Sequence, residues 1–356
     1  MRMFRAGWVV IAWVASAGAC RNEAPTAVCN PDVLVTHVSY AELLTSLPAR
    51  VVEGLTKAPT AEGALGRNRE GYFHVRFQMD IGYLAAYAIA FKSDAALAHF
   101  ALAAEYAFQH QLPNGDFALA IPQALENLGA PTEGDLASGT AFFLSALGSS
   151  LVALQQSGWF HDRVPDELTQ RIAHLRPGFQ QAVDHLKTKK DVLLAYDALA
   201  PNRLLFDAVA FYAMGSYLGD QDAQRIGLDF AERAVAQQHP DGYFIEGGGF
   251  DSSYNGVALR LGFVQLALMP ADDALAQKLQ QALARAVHWQ TTRVLSSGEI
   301  SAEGNTRVYP GGEDFLGEEK QMAWVETLIS FYFASVLSEQ SSFVELAERI
   351  ETHYVR

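Results

Sequence analysis

Short and long links between helical segments alternate strictly along this chain, and that alternation narrows its possible folds more than any other feature. From about residue 40 onward, apolar residues recur at three-to-four spacing and no alternating strand pattern interrupts them. The pattern predicts a leading helix at Tyr40–Lys57 and then five pairs of helices. The pairs are Asp80–Lys92 with Ala95–Gln109, Asp135–Gln156 with Asp166–Lys187, Arg203–Leu218 with Gln221–Gln238, Asp251–Leu268 with Asp272–Thr292, and Glu318–Leu337 with Ser341–Tyr354. Within a pair the link is a short turn, as at Ser93-Asp94 or Gly219-Asp220. The long links are 61–79, before the first pair, and 110–134, 188–202, 239–250 and 293–317 between pairs. Helices joined by a tight turn must run antiparallel, so every long link falls at the same end. The expected fold is all-α: an (α/α) toroid of five to six helical hairpins, one domain over 38–356, with its long loops on one face.

Loops of this length in a compact domain are functional more often than connective, so that face is where a site is expected. A repeated stretch supports the ring. His110-Gln111-Leu112-Pro113-Asn114-Gly115-Asp116-Phe117 matches Gln237-Gln238-His239-Pro240-Asp241-Gly242-Tyr243-Phe244, each closing an alanine-rich helix.

The N-terminal 19 residues have a different character. Arg2 and Arg5 precede a short apolar run, and Ala17-Gly18-Ala19-Cys20 is a small-residue cleavage junction. The run is too short to span a membrane. This segment resembles a bacterial lipoprotein signal, which implies a signal peptide at 1–19 and lipid attachment at Cys20. It also implies a tether over 20–37 and a lipid-anchored protein of the cell envelope, on the periplasmic side or at the outer membrane. Cys29 is the only other cysteine, so no disulfide framework is expected. Formal charge is −14, and −16 once Arg2 and Arg5 are removed. So acidic a chain argues against nucleic acid as a partner and requires any site for a polyanion to be a local basic patch.

Three loop stretches carry chemistry. Arg67-Asn68-Arg69-Glu70-Gly71-Tyr72-Phe73-His74-Val75-Arg76 combines three guanidinium forks, suited to carboxylates, with a histidine able to move a proton near neutral pH. Gly298–Arg307, followed by Gly311-Gly312-Glu313-Asp314, sets Glu303, Asn305 and Arg307 among glycines. Pro240–Gly256 contains Tyr243, Glu246, three consecutive glycines, and Asp251 as a helix N-cap candidate just before Tyr254 and Asn255. Tyr196-Asp197 and Asn202-Arg203 read as caps, as do Asp80 and Asp116. His161, His174, His185 and His288 read as structural. No paired histidines fall on an inner helix and no glycine-rich phosphate loop precedes a strand, so no metal or cofactor is expected.

The Asp241-Gly242-Tyr243-Phe244-Ile245 stretch, with Tyr254-Asn255-Gly256 after it, resembles a segment of the toroidal polysaccharide lyases that act on hyaluronate, chondroitin, xanthan and alginate. It departs from that family at Ser252-Ser253, where the family has Tyr-x-Gly, and it lacks the family's histidine. The resemblance implies β-elimination on an acidic polysaccharide or oligosaccharide. Tyr254 or His74 would then act as base or acid, and Asn255 or Arg307 would neutralise the uronate carboxylate. Arg67, Arg69, Arg76, Tyr243, Glu246, Asp251, Glu303 and Asn305 would bind substrate. A glycoside hydrolase built on two carboxylates is the alternative: Glu246 or Asp251 with Glu303, Glu313 or Asp116. The Asp-Gly-x-Phe repeat also resembles terpenoid-cyclase toroids, which implies a non-catalytic or binding toroid, because no Asp-rich cyclase box is present.

Overall fold

The computed structural model describes residues 34, 37–69, 71–122, 131–315 and 318–355. The signal-like segment, Cys20, Cys29, Glu70 and nearly all of the expected tether lie outside those residues. Leu34, assigned by sequence to the tether, is already part of the core, and the side chain of Gln280 donates to its carbonyl.

Helices dominate. α1 (Tyr40–Ser46) and α2 (Ala49–Leu55) replace the single leading helix, because Pro48 ends one and starts the other. A 3-10 turn, Val75–Asp80, runs directly into α3 (Ile81–Phe91), which pairs with α4 (Asp94–Gln109). α5 (Glu133–Gln156) is followed by four short helices instead of one long one: α6 (Gly158–Arg163), α7 (Asp166–His174), α8 (Arg176–Thr188) and α9 (Lys190–Tyr196). Pro165 and Pro177 sit at two of these starts. α10 (Pro201–Leu218) pairs with α11 (Gln221–Ala236), and α12 (Ser252–Leu268) with α13 (Ala274–Thr291). The last pair is α14 (Trp324–Ser338) with α15 (Ser342–Tyr354). α14 begins later than expected because Glu318–Glu319 pairs antiparallel with Asp314–Phe315 in a small ribbon.

Hydrophobic patterning sorts these helices into two rings. α5, α10, α12 and α14 are apolar on nearly every side and are buried, whereas α11, α13 and α15 bury one face only. α5 is apolar and long enough to cross a membrane, yet most of it is buried inside the protein. In the inner ring α3 packs on α5, α5 on α10, α10 on α12 and α12 on α14, and α1 touches both α14 and α3. At the end away from the long links, α1 plugs the ring: Ala41 N donates to Gln156 at the end of α5, and Tyr40 packs edge-on against Phe333 late in α14. Between the plug and the loop face lies a cavity of about 50 Å3, bordered by Tyr40, Tyr83, Ser145, Ser149, Arg260 and Glu326.

The repeated turn is a fastening. Gly115 and Gly242 adopt positive φ of +87° and +106°, a region glycine enters freely. A β-carbon there would overlap the carbonyl oxygen of Gln181 or Arg285, on the neighbouring outer helix. Gln111 and Gln238 cross-brace each turn by donating to backbone carbonyls of the turn and of that helix. A third copy stands at Val294–Ile300, where Gly298 docks on Arg349 of α15 in the same way.

Candidate active site

The long links do meet at one mouth. Its floor is the start of α12. Asp251 caps that helix: one carboxylate oxygen accepts from Ser253 N and Tyr254 N, and the other accepts from Arg307 N and Val308 N at 3.0 and 2.8 Å. A single buried carboxylate therefore fixes both Tyr254 and the loop that carries Arg307.

Arg307 lies between two glutamates. Nη1 donates to Glu246 Oε1, and Nη2 donates to Glu313 Oε1 at 2.7 Å. Its guanidinium carbon stands 4.5 Å from the centre of the Tyr254 ring. The Tyr254 hydroxyl donates to Glu313 Oε2 at 2.6 Å and accepts from Lys320 Nζ. The two glutamates titrate differently. Glu246 is buried, and burial lifts it to about 7 against the pull of Arg307. Burial also acts on Glu313, but the Tyr254 hydroxyl, Lys320 and Arg307 outweigh it and hold that carboxyl below its ordinary range. Near neutrality, Glu246 exchanges a proton while Glu313 stays ionised. Burial and the bond to Glu313 push the Tyr254 phenol up, so it remains protonated.

Three further cations reach this mouth. Arg203, at the start of α10, donates to Asp197 Oδ1 at 3.2 Å and lies 5.2 Å from the centre of the exposed Tyr196 ring, whose hydroxyl donates to Asp135. Arg76 lies over Phe142 at 4.6 Å. Burial, reinforced by Arg203, brings it down to about 10. Burial likewise brings Lys320 down to about 8, with Arg76, Arg307 and Arg203 adding to the effect and Glu313 opposing it. The groups feel one another's charge because they share one poorly solvated space.

Sequence reasoning and structure part company over several residues. Tyr254, Arg307, Glu246 and Arg76 stand at the mouth. His74 is beside it, packed so tightly on Gly139 that no side chain fits there. Its Nδ1 accepts from Arg76 N, and burial lowers it to about 4, which keeps it neutral. Asn255 turns away from the mouth: it accepts from Phe244 N and donates to Gln290, deep in the core. Asp251 and Asn305 are also absorbed by backbone groups, Asn305 bonding Ser252 N and Val308 O. Arg67 is on the rim, paired with Glu318 at 2.6 Å, and Arg69 bridges to Tyr72 through its backbone. Tyr243 packs with His239, Phe250 and Trp289 outside the mouth. Glu303 is exposed and lines a separate surface groove with Glu299 and Tyr309. Asp116 pairs with His185 on α8.

Lys320 escaped the sequence reading because it was assigned to a helix. Arg203 and Tyr196 read in the sequence as caps, and Asp135 as the first residue of a helix. Asp207, a lone charge within the apolar run Leu204–Gly215, was a visible signal that went unused. Among the described residues no cluster of three or more metal-ligating side chains occurs.

No family model matches the sequence, and neither does any curated protein. Solved structures do resemble it in fold. A sugar epimerase from a ruminal bacterium superposes with a TM-score of 0.50 at 12% identity, over 86% of this chain and 92% of that one. An unsaturated glucuronyl hydrolase from Bacillus sp. GL1, responsible for the degradation of glycosaminoglycan, gives 0.48 at 17% identity, over 72% and 74%. A UGL variant described with dGlcA-Glc-Rha-Glc gives 0.48 at 16% identity, over the same shares. The likeness establishes the (α/α) toroid.

Proposed function

We propose that this toroid is a carbohydrate-active enzyme that cleaves a glycosidic bond next to an acidic sugar, with Glu246 as the proton donor and Glu313 as its ionised partner. One observation carries the reading: a single guanidinium, that of Arg307, bridges two carboxyl groups whose surroundings drive their ionisation apart. Such divergence separates an acid from a base in glycoside hydrolysis. Protonated Glu246 gives its proton to the departing sugar oxygen. Glu313 steers a water molecule or steadies the positive charge that develops on the ring. Arg76, Arg203 and Lys320 supply the local positive field that a uronate carboxylate needs on an otherwise acidic protein. A sugar is also the class of substrate named for the epimerase of the same fold.

β-Elimination led by Tyr254 is the weaker reading. A base must lose its proton before it can take one, and burial holds the Tyr254 phenol protonated.

The test is a panel of uronic-acid polymers and their unsaturated oligosaccharides, followed both for reducing ends and for ultraviolet absorbance. The expected result is new reducing ends with no gain in absorbance, and a Glu246→Gln variant slower by about 10²–10⁴-fold. Absorbance rising from an intact polymer, with Glu246→Gln fully active, would hand the site to the elimination reading.

A further inference from the structure

Behind the mouth, two carboxyl groups are buried where two negative charges have no support. Asp197 follows the last turn of α9, and Asp207 lies one helical turn beyond Arg203 on α10. Both are fully buried. Neither oxygen of Asp207 meets a donor among the described residues, and nor does Oδ2 of Asp197. Asp197 Oδ1 accepts from Arg203 Nη1 at 3.2 Å. The groups facing the pair are Arg203 from α10, Ser138 from α5 and Arg76 from the 3-10 turn.

A buried carboxylate without a donor is among the costliest groups a fold can hold. One proton removes the difficulty. As a carboxylic acid, Asp207 becomes the donor that Asp197 Oδ2 lacks. The pair then carries one negative charge, held on the Asp197 side beside Arg203 and Arg76.

We propose that Asp197 and Asp207 share a single proton at neutral pH, and that the singly charged pair anchors Arg203 at the mouth. Asp207 is thus a positioning residue that acts through Asp197 and does not touch substrate. Burial and the neighbouring carboxylate push Asp207 well above the usual carboxylate range; burial raises Asp197 too, with Arg203 opposing it. The linkage has a definite sign. An acid raised in the folded state stabilises the fold below its unfolded pKa, and that stability is lost as pH rises through the folded value. Alkali should therefore weaken the wild type more than Asp207→Asn, whose amide keeps the donor and has no proton to lose.

The shared proton is independent of the acidic-sugar reading; the use of Arg203 for a substrate anion rests on it, so the experiment reads the two separately. Infrared spectra of the full chain, labelled with ¹³C-carboxyl aspartate, should keep an isotope-shifted protonated-carboxyl band above pH 8. Asp207→Asn should lack that band, and its melting temperature should fall less between pH 7 and pH 9. No such band in the wild type, or one that survives Asp207→Asn, overturns the proposal. If Asp207→Asn fails to fold, the labelled wild type still decides: the band should persist over the pH range in which the melting temperature falls, and a band that titrates with ordinary aspartates refutes the shared proton. Glucuronate is the probe for Arg203. Arg203→Gln should weaken its binding about ten-fold or more. If the wild type does not bind glucuronate, the acidic-sugar reading fails while the infrared result stands.

Discussion

The polar residues gathered at the loop face divide into those that hold the backbone and those left to meet a ligand. The sequence does not tell them apart. Asp251, Asn255 and Asn305 have the residue types of a catalytic constellation, yet each spends its side chain on peptide groups in or around the start of α12. Buried N–H and C=O groups must find partners, and a loop folded this tightly draws them from its own Asp and Asn. Tyr254 is the opposite case, since among the described residues its hydroxyl bonds to the side chains of Glu313 and Lys320. That gives a prediction about ionisation. The Tyr254 hydroxyl helps to lower Glu313, so in Tyr254→Phe the Glu313 carboxyl should rise. The acidic limb of the kcat/KM profile should then move to higher pH, while the alkaline limb set by Glu246, near 7 in the wild type, remains. Loss falls on the alkaline side because Glu246 must be protonated to donate. A Tyr254→Phe enzyme that is dead at every pH, with both glutamates intact, would restore the tyrosine-centred mechanism.

At the level of elements, the inner helices were legible because apolar patterning fixes them, and the alternation of link lengths fixed their order. The outer run between α5 and α10 was not legible as four helices, because Asp166–Lys187 keeps its amphipathic period across the break before Pro177, and α6 and α9 are short helices inside the expected links. The β-ribbon at Asp314–Glu319 was missed because two-residue strands have no period to read. The turn glycines show how the rings are joined, and two of them separate backbone strain from docking. Gly219 ends α10 at φ +80° with nothing near its missing β-carbon. Gly298, at φ +88°, presses on the Arg349 carbonyl of α15. Gly219→Ala should show only the conformational cost, about 1–2 kcal/mol. Gly298→Ala adds a steric overlap with α15, so its loss in denaturant midpoint should be clearly the larger. Equal losses would mean that the turn is not docked as described.

At the scale of the whole molecule, a mouth where four cations meet acidic partners is set in an acidic protein, and the two act over different distances. The sequence carries a formal charge of −14, while Arg76, Arg203, Arg307 and Lys320 converge at one point. The lipoprotein-like junction would place this body at a membrane surface. If Cys20 bears the lipid, wild-type protein should fractionate with membranes and Cys20→Ser with soluble periplasmic contents; wholly soluble wild type would rule the anchor out. On the acidic-sugar reading, a long polyanion feels the charge of the acidic body at longer range than the cations inside the mouth. Exposed charges are screened over about 10 Å at 0.1 M salt and about 30 Å at 0.01 M, whereas contacts inside a partly desolvated mouth are screened much less. Raising salt from 0.01 to 0.15 M should therefore improve kcat/KM for a long uronate polymer, because the body's repulsion fades faster than the mouth's attraction. A single uronate feels mainly the mouth, so its binding should weaken slightly over the same range. In Arg203→Gln, where the mouth has lost one of its cations, the monosaccharide trend should flatten while the polymer still gains from added salt. A polymer rate that falls steadily with salt, in parallel with the monosaccharide, would mean that the acidic body does not govern approach, and that the basic field extends well beyond these four residues.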